Sequence, residues 1–428
     1  MLDADSAQLA HRIAVDVATA AAAVGPAPQR AYDVSPPRAD IPSRDPSLAG
    51  GHAGIALLAA HLDACAPNEG WDRTGHRHLL AAVGSGDQLR YLGPGLHSGW
   101  GGLAFTAVAL AGDSARYATF LEQTSKVLAA AAIRLADHVV GVPARLPAPT
   151  FDVISGLSGI AAVLITRRDD AALETALERV LHALVHAAGT TDGVLRVAGP
   201  VDWSQPANST SAEPALNLGL AHGVPGVVAA LALASQEGID VDGSAEAIEA
   251  LVETLRSYVY SDEVGPICPL SVPLDRPPAP PPGPVRTAWC HGMPGLARAM
   301  WLAGTALDRP TWRADALDAI KAAFRRPVEG RRLGSPTFCH GDAGLAQIGL
   351  RFAADTGDAE LAALVRQDVA RLVAQYDPDL PFGYRRIDDA GHERDSAALL
   401  DGAAGVALVL LAAAHDVEPR WDRAFMLS

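Results

Sequence analysis

The sequence predicts an all-α protein in which an enclosed set of apolar helices alternates with an outer set of amphipathic ones. Three observations predict it. A motif, Gly-x-x-Gly-aliphatic-small, recurs seven times, beginning at Gly51, Gly99, Gly156, Gly223, Gly292, Gly341 and Gly402, with gaps of 48, 57, 67, 69, 49 and 61 residues. An Ala- and Leu-rich run of helical character follows each copy. Hydrophobic residues make up 49 % of the 428-residue chain but aromatics only 5 %, so the core must be built from Ala, Leu and Val at close helix contacts. Repeat units of this size stack into one body, so residues 1–428 read as a single domain.

Taken in order, residues 1–25 read as a helix, 26–47 as a Pro-rich connector, and 48–415 as the seven repeats. The run 54–65 (GIALLAAHLDAC) is apolar almost all round, as in a buried helix. Residues 170–188 place Leu173, Ala176, Leu177, Val180, Leu181, Leu184 and Val185 on one helical face, and 358–376 show the same pattern. Paired glycines at i and i+3 before an apolar run predict a tight turn and close helix packing. Pro225 and Pro294 fall inside the motif, where a first-turn Pro is tolerated. The motif is therefore expected at helix N-termini, with backbone N–H groups facing a shared rim around a cavity. Residues 189–215 predict a short hairpin and loop, and 265–286 contain the stiff run DRPPAPPPGPVR. Either insertion would serve as a substrate wall or as a solvated spacer.

The formal net charge of −15 argues against nucleic acid and anionic membranes as partners and suits a basic peptide or a neutral substrate. No apolar run is long enough for a membrane span. The N-terminus lacks a basic region before its apolar stretch and reads as a first helix. Four cysteines are too few for a disulfide scaffold, so a reducing, cytoplasmic setting is expected, with thiols available as ligands.

The residues just before the motif carry the chemistry. Cys290 and Cys339 both sit in Cys-His-Gly, at equivalent places in two repeats. With His340 they form a Cys, Cys, His set suited to Zn2+, leaving a fourth position for water or substrate. His291 is expected beside the metal or facing substrate. His222 holds the corresponding position without a Cys and is the candidate general acid/base. Asp152 would orient His222, pair with Arg286 or cap a helix. His52 and His97 lie near the first two motifs with nothing to suggest ligation, and Asp342 and Asp401 read as N-caps. Two thiolates and an imidazole make an electron-rich zinc, better suited to activating a thiol than to generating hydroxide.

The motifs WCHGMPG (289–295) and FCHGDAG (338–344) are specific, and through them and all seven repeats the chain resembles the lanthionine synthetase C-like cyclases from about 48 to 415. That resemblance implies an α/α toroid of seven inner and seven outer helices with short hairpin insertions. It implies Cys290, Cys339 and His340 as zinc ligands, His222 as the catalytic histidine, and Asp152 and Arg286 as polar site positions. The implied activity is addition of a peptide cysteine thiol to dehydroalanine or dehydrobutyrine, forming lanthionine or methyllanthionine. A dehydrated precursor peptide is the implied partner, together with a dehydratase of the same pathway. Many bacterial members carry Tyr after the first zinc cysteine; His291 stands there instead, as in the eukaryotic relatives. The alternatives are a glutathione-adding or glutathione-binding relative and a non-catalytic scaffold with a structural zinc, completed by His291 or Cys268. A prenyltransferase-like toroid would need a cluster of basic residues that the rim lacks. A two-carboxylate glycosidase would leave the Cys-His pairs idle.

Overall fold

The computed structural model describes residues 2–24, 45–84, 89, 92–167, 170–191, 193–200, 214–274, 277, 279–388 and 390–428. The connector at 26–44, the loop at 201–213 and part of the Pro-rich run (275, 276 and 278) lie outside the described residues. The helices in order are α1 (Ala4–Ala22), α2 (His52–Cys65), α3 (Trp71–Val83), α4 (Trp100–Ala111), α5 (Ala118–Gly141), α6 (Ala148–Phe151), α7 (Leu157–Ile165), α8 (Ala171–Ala188), α9 (Val224–Gln236), α10 (Ser244–Arg256), α11 (Met293–Ala306), α12 (Pro310–Arg325), α13 (Asp342–Thr356), α14 (Ala359–Ala374) and α15 (Ala403–Ala414). All seven motifs open a helix, as expected: α2, α4, α7, α9, α11, α13 and α15. No described helix is long and apolar enough to cross a membrane.

Two compact units divide the chain. The first holds Met1–Leu92, Gly102–Leu121 and Leu333–Trp421, and the second Gly93–Gly101, Glu122–Arg332 and Asp422–Ser428. In the first unit, α13, α15 and α2 pack in succession, with α14, α1 and α3 against them. In the second, α7, α9 and α11 pack in succession and are covered by α8, α10 and α12.

The two helix classes follow from their sequences. Every residue of α7 is buried, whereas α10 buries only Ser244 and one stripe, Ala247, Ile248, Leu251, Val252 and Leu255. On α8 the expected stripe is buried except for Val185, which is half-buried. Each Leu or Val so enclosed contributes about 1.5–3 kcal/mol.

The helix ends differ as well. Among the outer helices, α1, α8 and α14 are capped by side chains, with Asp3, Asp170 and Asp358 accepting from Ser6, Ala172 and Leu361 N–H. The motif helices begin instead at a glycine with no side-chain cap. At four of them the first N–H is taken by the carbonyl seven residues upstream: His52 by Asp45, Trp100 by Gly93, Asp342 by Ser335 and Ala403 by Ser396. At these four that N–H is not offered at a rim, contrary to expectation. The upstream loop folds back so tightly that a Cβ at Gly292, where φ is +111°, would collide with the Arg286 carbonyl.

Among the described residues the strands are few: β1 (Thr190–Thr191), β2 (Val194–Leu195), β3 (Gly199–Pro200), β4 (Pro214–Asn217), β5 (Tyr260–Ser261), β6 (Pro266–Ile267), β7 (Ser271–Pro273), β8 (Arg385–Ile387) and β9 (Glu393–Asp395). The hairpin expected in 189–215 is β1–β2. Antiparallel β3–β4–β7 joins the two insertions of the second unit, with Leu216 opposite Val272. The last seven residues, Asp422–Ser428, end within the second unit. There Trp289 Nε1 donates to the Phe425 carbonyl at 2.8 Å and the Arg298 Nε to that of Leu427 at 2.9 Å.

Candidate active site

Backbone hydrogen bonds link the segments that precede the motifs, and apart from the donor Val153, three residues before Gly156, they do so at one register, two residues before the motif glycine. In the second unit His97 N–H donates to Ile154 O (3.0 Å), Val153 N–H to Ala221 O (3.0 Å) and Ala221 N–H to Cys290 O (3.4 Å). In the first, Cys339 N–H donates to Leu400 O (2.9 Å) and Leu400 N–H to Ala49 O (3.0 Å). Residues one position later therefore become neighbours. Ser98 Oγ lies 3.2 Å from Ser155 Oγ, and His340 Nδ1 lies 3.5 Å from Asp401 Oδ1.

In the second unit this frame brings together His222 and Asp152. His222 Nδ1 lies 2.6 Å from Asp152 Oδ2. The Asp152 side chain is 2 % exposed, and its other oxygen accepts from Ser155 N–H (2.8 Å) and Gly156 N–H (2.9 Å). Of the roles expected for Asp152, it therefore orients His222, and it also holds the turn that opens α7. His222 is half-buried. The His291 ring lies over Gly219, where an added Cβ would meet His291 Cδ2 at 2.6 Å. Cys290 is buried, and Trp289 beside it is fully so. Arg286 is half-buried at the start of the same loop. Cys268 is buried between β6 and β7, and burial pushes its thiol up to about 12.

In the first unit Cys339 Sγ, a ring nitrogen of His340 and a carboxylate oxygen of Asp401 all lie within 4.8 Å of one another. A thiol, an imidazole and a carboxylate are a donor set that zinc accepts. Asp401 was not expected there. Neither it nor Asp342 is an N-cap: the glycines Gly341 and Gly402 hold those positions. Asp342 instead receives Gln375 Nε2 of α14 at 3.0 Å. Asp401 faces His340 on one side and Arg386 Nη2 on the other, at 3.7 Å.

His97 holds the register position of Cys290 and Cys339 but turns inward. It is fully buried, and its Nε2 lies 2.8 Å from the Ala424 carbonyl. Burial pushes its pKa down to about 4.

The chain matches the family described as lanthionine synthetase C-like protein over residues 42–426. The chain belongs to that family. It is 24 % identical over 313 residues to the nisin biosynthesis protein NisC of Lactococcus lactis subsp. lactis, covering 71 % of this chain and 72 % of that protein. Its fold is that of a solved nisin cyclase, with a TM-score of 0.76 at 20 % identity over 90 % of this chain and 92 % of the other. The α/α toroid class expected from the sequence is thus borne out.

Proposed function

We propose that this chain is a zinc-dependent lanthipeptide cyclase, which adds peptide cysteine thiols to dehydroalanine or dehydrobutyrine. Its substrate is a dehydrated precursor peptide, supplied by a dehydratase of the same pathway. The observation that carries the reading is the cluster of Cys339, His340 and Asp401 at the motif of a family member. Cys339 and His340 would hold the metal, and Cys290, which carries the same Cys-His-Gly motif, is the third proposed ligand. Zinc bound there supplies the means to keep a cysteine sulfur deprotonated and nucleophilic near neutral pH.

The chain's own residues handle the proton. As sulfur bonds to the β-carbon, the π electrons move to the α-carbon, which must then be protonated. His222 delivers that proton from Nε2, because Nδ1 is committed to Asp152 at 2.6 Å. The proton lost by the thiol restores the imidazole, so no atom leaves overall. Asp152 cannot turn away, since Ser155 and Gly156 hold its second oxygen. His291 and Arg286 are proposed to face the substrate from the same loop.

The product must therefore have the mass of the dehydrated peptide and no free thiols. Alkylation followed by mass spectrometry reads both. Retained thiols together with uptake of added glutathione would favour the glutathione-adding reading. Reaction of neither, with the matched peptide, would defeat the cyclase reading.

A further inference from the structure

We infer that Asp401 is a positioning residue for the metal centre, holding His340 so that its Nε2, and not its Nδ1, is the ligand nitrogen. The inference rests on the zinc reading above and adds a role for a residue outside the Cys-Cys-His motif. Three observations within the first unit carry it. The Cys339 N–H to Leu400 O bond fixes the register that sets residues 340 and 401 side by side. Asp401 Oδ1 then faces His340 Nδ1 at 3.5 Å, an ion-pair distance longer than a hydrogen bond; a carboxylate on that side favours the hydrogen on Nδ1 and leaves the lone pair on Nε2. Asp401 Oδ2 is turned to the Arg386 guanidinium at 3.7 Å, which holds the carboxylate to its orienting task.

Arg386 is itself placed by the fold. It lies in β8, and the next residue, Ile387, donates its N–H to Ser335 Oγ at 3.3 Å. Ser335 Oγ in turn lies 3.0 Å from Thr337 Oγ1, two residues before Cys339. The β8–β9 hairpin is thereby tied to the loop that carries the ligands. A carboxylate behind a ligating histidine fixes its tautomer and raises its basicity, and removing such a partner costs ~10–100-fold in metal affinity.

The test uses the full chain and competition for zinc with a chromophoric chelator. Asp401→Ala is expected to weaken zinc binding by ~10–100-fold with helical circular dichroism unchanged. Asp401→Asn should weaken it less, because an amide oxygen can still face Nδ1–H, and Arg386→Gln should have the smallest effect. In cobalt(II)-substituted protein, Asp401→Asn should keep the wild-type visible bands, since the carboxylate is not itself a ligand. Wild-type affinity in folded Asp401→Ala would overturn the inference, and so would a changed cobalt coordination spectrum in Asp401→Asn. A wild-type chain that binds no zinc at all would instead remove the zinc reading and this inference together.

Discussion

Each unit contains a carboxylate that faces the Nδ1 of an imidazole one residue before a motif glycine, and the two pairs are built differently. In the second unit Asp152 and His222 are 2.6 Å apart, and the carboxylate is enclosed and gripped by two backbone N–H groups. In the first unit Asp401 and His340 are 3.5 Å apart, and the half-buried carboxylate is shared with Arg386. The residue before the imidazole differs too: Ala221 in one, Cys339 in the other. The repeat fixes the backbone and turns Nδ1 towards the carboxylate in both pairs. On the proposed function the neighbour then sets the task, a thiol beside His340 for metal binding and an inert methyl beside His222 for proton transfer.

The largest expected effect comes from breaking the metal side. Stripping zinc with a chelator should abolish ring formation while helical circular dichroism persists, because each unit has its own buried apolar core. Cys339→Ala and Cys290→Ala should each lose zinc. Full metal retention in both variants would remove these cysteines from the site.

The proton side should break independently. His222→Asn should keep one zinc per chain yet slow ring closure by ~10²–10⁴-fold, the usual contribution of a general acid or base. Asp152→Asn should act in the same direction, since it removes the charge that fixes the His222 tautomer. The two residues act as a unit, so the double variant should be little slower than His222→Asn alone. Additive losses would show that Asp152 has a separate task.

Much of this was legible in the sequence because glycine leaves little choice. Seven Gly-x-x-Gly copies before apolar runs mark places where backbone meets backbone, and each opens a helix. The Cys-His-Gly pairs marked their own chemistry. The links between repeats were not legible, because Leu400 and Cys339 are joined by a backbone bond that spans 61 residues and leaves no periodic trace. Asp401 was missed for that reason: an Asp just before a Gly-led helix reads as a cap until its neighbour across the ladder is known. The same blindness hid the tail. Residues 422–428 lie beyond the last repeat, yet Ala424, Phe425 and Leu427 are fully buried, and their carbonyls meet His97, Trp289 and Arg298.

The smallest expected effect concerns stability and the imidazole that sits at the cysteine register without a metal task. His97 is held neutral, with its pKa pushed down to about 4 by burial, against an ordinary value of 6.5. As pH falls below 6.5 the unfolded chain takes up this proton first, so the contribution of His97 is whole above 6.5 and is lost as pH drops towards 4. A shift of this size is worth no more than about 3 kcal/mol. His78, pushed down to about 4 by burial and by neighbouring His52, adds to the same acid slope from the first unit. His97→Gln can keep a donor for the Ala424 carbonyl but has no titrating group. Urea unfolding at pH 7, 6, 5 and 4 should show wild type losing stability steadily below 6.5 and His97→Gln losing distinctly less. Zinc content at pH 7 should be the same in both, because His97 shares the register of Cys290 and Cys339 but faces the tail. An unchanged acid slope in His97→Gln would mean that its burial does not govern the acid stability of this unit.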